Sequence, residues 1–296
     1  MQRILTRSRH YDTNVGNLKV DLSKAAKKLL RAAHGTDKHI AANMARFRAT
    51  ISAEIIGLAK RPDGYAGKFE IVIPCYNHAS YLMEAFDSVV QQTYKGPVTV
   101  AFVNDHSQDN SLQTMNAIAA SRYPSAITVK IIDNPINLNQ AGSINKAIRE
   151  SYNELFMMLN ADDILTKDCV ELTLATYELH SDIYMLGGSS LWFADSGSLP
   201  VHRPKPAPEL ELTVYRPENA LKFTKPNSIN MSQSSCSFLR VAWEVVGGYF
   251  ERERRVCSWD DRDFQMRVCS VFPVGVYKDY PMEFYRTTSS TGRARS

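Results

Sequence analysis

From residue 69 onward, short apolar runs alternate with amphipathic stretches of helical length, and that alternation leaves few folds open. The runs are Phe69 to Pro74, Val98 to Val103, Ile127 to Ile132 and Leu155 to Leu159. Between them, Ser80 to Gln92 carries Leu82, Ala85, Phe86, Val89 and Val90 at helical spacing. Ser111 to Ser121, Gln140 to Tyr152 and Lys167 to His180 read as helices in the same way. Strands joined by helices are parallel, and their crossovers are right-handed. The expectation is an α/β fold with a mostly parallel sheet covered by helices on both faces. Ligands of such sheets bind beyond the carboxyl ends of the strands. The loops after Ile73, Val103, Ile132 and Leu159 therefore become the places to look for chemistry.

The flanking segments are less regular. Upstream, Asp21 to Ala33 places Leu22, Ala25, Ala26, Leu29 and Leu30 on one helical face. Lys38 to Lys60 repeats Ile40, Met44, Phe47, Ile51, Ile55 and Leu58, and Arg61-Pro62-Asp63-Gly64 breaks it. A boundary near Gly67 sets residues 1–66 apart as a basic helical extension. Residues 1–70 hold 14 Lys/Arg against 6 Asp/Glu, a balance of +8, whereas the rest of the chain is at −4. This is either a solvated helix surface or a surface for an anionic partner such as nucleic acid. No aromatic residues interleave with these charges as stacking on bases requires. The apolar helix faces must pack on the rest of the chain or on a second copy of it. Downstream, five prolines between residues 195 and 218 predict a long surface loop. A strand near Ser234 to Leu239, helices at Val241 to Val246 and Asp260 to Cys269, and strands at Val274 to Tyr277 and Glu283 to Arg286 complete the expectation.

Several classes are excluded. No stretch approaches the roughly 18 apolar residues of a membrane span, and the polar, basic start is unlike a signal peptide. The five cysteines are scattered, without a C-x-x-C pair, which argues against a disulfide framework and a zinc site. The expected location is the cytoplasm, or the periphery of a membrane if the basic surface meets one. No glycine lies between Gly67 and Gly96. Dinucleotide-binding turns and P-loops need glycines there to wrap phosphate, so neither fits.

The loops carry candidate chemistry. Tyr76 stands at a strand end, as a rim aromatic or as a platform for a nucleobase. Asp105, at the next strand end, can accept the imide N–H of uracil or thymine. His106 reads as a turn residue and Asp109 as a helix cap. Asp162 and Asp163 follow the fourth strand as two hard oxygen ligands suited to Mg²⁺ or Mn²⁺, or as acids favoured at a helix start, a role that suits Asp168 better. Trp259-Asp260-Asp261-Arg262-Asp263 opens a helix with three carboxylates. These are caps, or one of them is a general base, since an exposed aspartate is ionised at neutral pH.

The order of these motifs resembles that of the inverting family 2 glycosyltransferases of GT-A fold. Ile-Pro-Cys-Tyr-Asn at 73–77 is similar to their opening signature, and Ser88 to Thr93 to their S-x-x-x-Q-T. Asn104 to Asp109 resembles the Asp-Asp-Gly-Ser-Thr-Asp turn, and Asn137 to Ile148, with Asn145, the helix that follows. Leu159 to Asp163 stands at the D-x-D metal motif. Gly247-Gly248-Tyr249 and Asp260 to Asp263 resemble the Gly-Gly-Phe and Glu-Asp-x-Asp pair. The similarity covers roughly residues 68–290.

The resemblance implies a nucleotide-sugar donor, UDP- or dTDP-linked, held by Pro74, Tyr76, Asn77, Asp105, Asn145 and Asp162. It implies Mn²⁺ or Mg²⁺ on Asp162 and Asp163, Asp261 as catalytic base, and Trp259 and Asp260 at the acceptor. Residues 67–232 would bind the donor and 233–296 the acceptor, a glycan, lipid-linked or protein hydroxyl. Asn160 replaces the first Asp of the metal motif, Ile144 stands at a frequent Arg, and Thr287-Thr288 at a frequent His. A transferase acting on hydroxylated nucleic-acid bases and a non-catalytic nucleotide-sugar-binding protein are the alternatives.

Overall fold

The computed structural model describes residues 40–49, 51, 56–57, 59–195, 198–218, 231–251 and 259–287. The helix expected at 21–33 and parts of the one expected at 38–60 lie outside these residues. Helix α1 is Ile40–Ala49. The core then follows the predicted alternation: β1 Phe69–Cys75, α2 Leu82–Val90, β2 Val98–Asn104, α3 Ser111–Ala120, β3 Ile127–Asp133, α4 Asn139–Arg149 and β4 Leu155–Met158. Next come β5 Ile164–Leu165, α5 Cys169–Leu179, β6 Met185–Phe193 and β7 Thr213–Tyr215. The chain ends in β8 Ser237–Leu239, α6 Arg240–Val246, α7 Asp260–Cys269 and β9 Val274–Arg286.

Among the described residues, nine strands form one sheet in the order β3-β2-β1-β4-β8-β6-β9-β5, with β7 also on β9. The β3-β2-β1-β4 half is parallel, as expected. The other half is mixed: β8 is antiparallel to β4 and β6, β5 and β7 are antiparallel to β9, and β6 runs parallel to β9. Strands β8 and β9 thus share the sheet of the first half. Successive side chains of a strand point to opposite faces. Ile71 and Ile73 accordingly enter one core with Leu82, Phe86 and Phe102, while Val72 enters the other with Ile144, Phe156 and Phe238. Helices cover both faces, which is why these strands read as unbroken apolar runs.

Three expectations change. Strands β5 and β6 were not foreseen. The stretch 195–218 is not all loop, since β7 and a 3₁₀ turn at Ala207–Glu209 lie within it, burying Tyr215 and Ala207. The two last predicted strands are one, β9, whose pairing with β6 shifts register at Gly188/Ser189 and Ser189/Ser190. Residues 278–280 loop out of the pairing there, so the strand bends without ending.

Candidate active site

The C-terminal ends of β1, β2 and β4 open into a cleft of about 340 Å³ lined by Pro74, Cys75, Tyr76, His78, Asp105, Gln140, Asn160, Ala161, Asp162 and Tyr285. Four of the predicted residues, Pro74, Tyr76, Asp105 and Asp162, therefore meet on one wall.

The loops after β1 and β2 are stitched together by side chains capping backbone. Asn77 adopts φ 57° and its Oδ1 accepts the Gln108 amide at 2.7 Å. Its own N–H donates to Ser107 Oγ. Asparagine tolerates this left-handed conformation better than most residues. Asp109 accepts from the Ala79 amide and from the Ser111 amide and hydroxyl. Burial pushes its carboxyl up, but the Ser111 hydroxyl and these amides outweigh that and hold it below its ordinary value. His106 sits at φ 62° and is exposed, a turn residue as read. Asn77 supports the wall without being part of it.

Asp105 is buried at the end of β2, and its Oδ1 accepts from the Leu138 amide at 2.7 Å and from Asn134 Nδ2 at 3.0 Å. These bonds use one carboxylate oxygen, so the other can meet an N–H in the cleft. Asn134 also donates to Ser143 Oγ and accepts from Lys146 Nζ, tying the loop after β3 to α4.

Asp162 and Asp163 diverge. Asp162 lines the cleft. Asp163 is buried, accepting from Ser234 Oγ at 2.6 Å, Asn160 Nδ2 at 3.0 Å and the Arg286 amide at 3.0 Å. Burial, then the charge of Asp162, push its carboxyl up to about 6. Glu283, also buried and bonded by Ser190 Oγ, is raised as well, by burial and then by the Asp163 charge. Asn160 is equally committed: its Oδ1 accepts from Gln140 Nε2 at 2.7 Å and its amide N–H donates to Ser234 Oγ. An aspartate at 160 would set a second carboxylate against Asp163. The Asn therefore suits an inward-facing Asp163.

No pattern in the sequence singled out Arg286 beyond its place in a strand, yet it organises this loop. Its Nε donates to the Asp162 carbonyl at 2.8 Å. Its terminal nitrogens pair with Glu84 and Asp195, and its guanidinium lies over the rings of Tyr81 and Phe193. Gln140, Ser234 and Tyr285 were likewise unforeseen, because their partners come from distant segments.

Asn145, expected at the nucleotide, is not brought to the cleft. Its Nδ2 donates to the Tyr249 carbonyl and Glu251, and its Oδ1 accepts from Trp243 Nε1 and the Tyr249 amide. It clamps the Gly247-Gly248 turn. Trp259, Asp260 and Asp261, at the start of α7, are not part of the cleft wall either. Asp261 lies near enough to Cys236 and Tyr249 for its charge to bear on both. The Cys236 carbonyl accepts the amide of Met158, the last residue of β4. Asp261 is thus close to Cys236, the residue that pairs with the end of β4. Trp259 is 60% exposed.

Among the described residues, no three His, Cys, Asp or Glu side chains converge as a metal site. Two carboxylates, Asp105 and Asp162, line the cleft; Asp105 Oδ1 is already held by the Leu138 amide and Asn134, so Asp162 is the candidate metal donor. That fits Mg²⁺ or Mn²⁺, which commonly take one or two protein carboxylates and complete their shell with substrate phosphates and water.

A helix-covered sheet, parallel on the nucleotide side, with its cleft at the strand ends and a carboxylate after β4, is the GT-A architecture. The chain belongs to glycosyl transferase family 2, which residues 70–244 match. Among curated proteins it is similar to the Staphylococcus aureus poly(ribitol-phosphate) β-N-acetylglucosaminyltransferase TarS, 26% identical over 122 residues, 40% of this chain and 20% of that protein. It is 34% identical to the chondroitin synthase of Pasteurella multocida over 107 residues, 36% of this chain and 10% of the synthase. The chain thus spans only a fifth or less of these relatives. Among solved structures, TarS 1–349 in complex with UDP superposes with a TM-score of 0.54 at 17% identity, over 74% of this chain and 60% of that one. The mannosyltransferase PcManGT from Pyrobaculum calidifontis, in complex with GDP-Man and Mn²⁺, does so with a TM-score of 0.53 at 16% identity, over 89% and 68%. Among the described residues, no helix is long and apolar enough to cross a membrane.

Proposed function

We propose that this chain transfers one sugar from a nucleotide-sugar donor, UDP- or dTDP-linked, to a hydroxyl of a glycan, lipid-linked or protein acceptor, inverting the anomeric configuration. The observation that carries this reading is the meeting of Tyr76, Asp105 and Asp162 on one cleft wall. Tyr76 is 45% exposed and offers a ring for the base to stack on. Asp105 accepts an imide N–H, and Asp162 holds the divalent ion and with it the diphosphate. When bound, Mg²⁺ or Mn²⁺ neutralises charge developing on the departing nucleotide. Arg286 keeps the Asp162 loop in place through the Asp162 carbonyl. Asp261 takes the acceptor hydroxyl's proton while that oxygen bonds to the anomeric carbon. The bond from that carbon to the diphosphate breaks, releasing the nucleoside diphosphate. Trp259 and Asp260 flank the acceptor.

A second reading is a nucleotide-sugar-binding protein without transfer, favoured by Asn160 in place of the first carboxylate of the metal motif. A donor screen separates the two. The full chain is incubated with Mn²⁺ and each common nucleotide sugar, and nucleoside diphosphate release is measured. Release from one uridine or thymidine donor is expected. Binding of a donor with no release from any would establish the second reading.

A further inference from the structure

Strands β6 and β9 bring two aromatic residues to one face of the sheet. Trp192 and Tyr285 are register partners, with ring centroids 5.9 Å apart and planes at 47°. Tyr285 lines the cleft. Trp192, one residue outward, is 72% exposed. Its chain neighbours Leu191 and Phe193 turn the other way and pack with Phe284 and Ile164. The alternation of the strand thus presents the indole to solvent while Phe193 is buried and Leu191 half-buried.

A single exposed apolar residue needs no explanation. Trp192 differs because its ring continues the cleft wall by way of Tyr285. The cleft, about 340 Å³, is at the small end of ligand pockets, so the nucleotide portion of a donor fills much of it. What reaches Trp192 lies beyond the donor's nucleotide. A pyranose ring has one face of C–H bonds and a rim of hydroxyls. Its C–H face suits the negative face of an aromatic ring, and its hydroxyls stay in water or meet the indole N–H. A lipid chain would instead require a closed apolar groove, and the tilted pair offers only an open shelf.

Given the transferase reading above, we propose that Trp192 and Tyr285 form a subsite for a pyranose ring of the acceptor, and that the acceptor is therefore a saccharide. The test uses the full chain with UDP and Mn²⁺ on an array of neutral and charged oligosaccharides, followed by titration of the best binder. Wild type should bind at least one oligosaccharide. Trp192→Ala should weaken that affinity at least ~10-fold, about 1.4 kcal/mol. Trp192→Phe should retain part of it, and both variants should keep the wild-type melting temperature. Tyr152→Ala, which removes another exposed aromatic (92%), should change nothing. Undiminished glycan affinity in Trp192→Ala would overturn the subsite. So would a wild-type chain that binds no oligosaccharide on the array. Failure of wild type to release a nucleoside diphosphate from any donor would refute the transferase reading instead, and the glycan titration would still decide the subsite.

Discussion

At positions 162 and 163 two identical side chains have different surroundings, and only one of them is placed to meet a ligand. Asp162 faces the cleft, whereas Asp163 is enclosed by Ser234, Asn160 and the Arg286 amide. We expect Asp162→Ala to abolish Mn²⁺-dependent transfer while the protein stays folded, as read by a metal titration of activity beside a thermal melt. Undiminished activity would reassign the metal. Arg286 holds the same loop with a fork that contacts the Asp162 carbonyl, Glu84 and Asp195 at once. Lysine keeps the charge but not the fork. Arg286→Lys should therefore raise the Mn²⁺ concentration needed for half-maximal activity severalfold and lower kcat, and unchanged values for both would sink the positioning role. At Asp261, the proposed base, Asn keeps the shape and removes the carboxylate. Asp261→Asn should leave donor affinity intact and cut turnover at least ~10²-fold. Equal turnover in the two proteins would move the base to Asp260 or Asp263.

The turn between α6 and α7 illustrates how an element is positioned from outside itself. Gly247 and Gly248 end α6 with φ of 83° and 72°, and the Gly248 amide donates back to the Trp243 carbonyl. A Cβ at 248 would come within 2.7 Å of Asn145 Oδ1 and 2.8 Å of Trp243 Nε1. Glycine is needed there for both conformation and space. Asn145 on α4 meets the same turn with four hydrogen bonds. Gly248→Ala should cost roughly 2–4 kcal/mol, from the strained φ and the clash. Asn145→Ala should cost a similar amount by leaving buried donors unpaired. Because the two sites share partners, the double variant should lose at least ~1 kcal/mol less than the sum. Urea denaturation of the three proteins checks this, and strict additivity would show that the clamp and the turn act independently.

For the molecule as a whole, helix α1 is packed into the core. Met44 and Phe47 of α1 are fully buried in the same core as Phe264 of α7, and the Arg267 guanidinium lies 6.0 Å from the Phe47 ring. Arg48 donates to the Pro217 carbonyl at 2.7 Å. Arg61 donates to the Tyr65 hydroxyl and to the carbonyls of Tyr177, His180 and Ile183. Large buried side chains lost from a core cost about 2–5 kcal/mol each, against a typical total stability of about 5–15 kcal/mol. A chain starting at Asp63 should therefore be unfolded or melt far below the full chain. A chain starting just before α1 should keep its cooperative melt. The shorter deletion still removes most of the excess positive charge, so its acceptor affinity at two salt concentrations tests whether that charge meets an anionic partner. A folded, fully stable chain from Asp63 would return α1 to the role of a detachable extension.

The sequence by itself determined the parallel half of the sheet and the positions of Tyr76, Asp105 and Asp162. Parallel strands buried on both faces must be apolar runs, and their ends must carry the ligand-facing residues, so local pattern and site coincide there. It did not reveal β6, because Gly187-Gly188-Ser189-Ser190 has little strand propensity of its own and pairs only once β8 and β9 are beside it. Nor did it separate Asp162 from Asp163. That choice was made by Ser234 and Arg286, which lie 71 and 123 residues further along the chain from Asp163. The assignment of Asn145 to a turn and the exposure of Trp192 beside Tyr285 have the same origin. A short side chain reaches whatever the fold brings within about 3 Å, and which groups those are is a property of the assembled sheet.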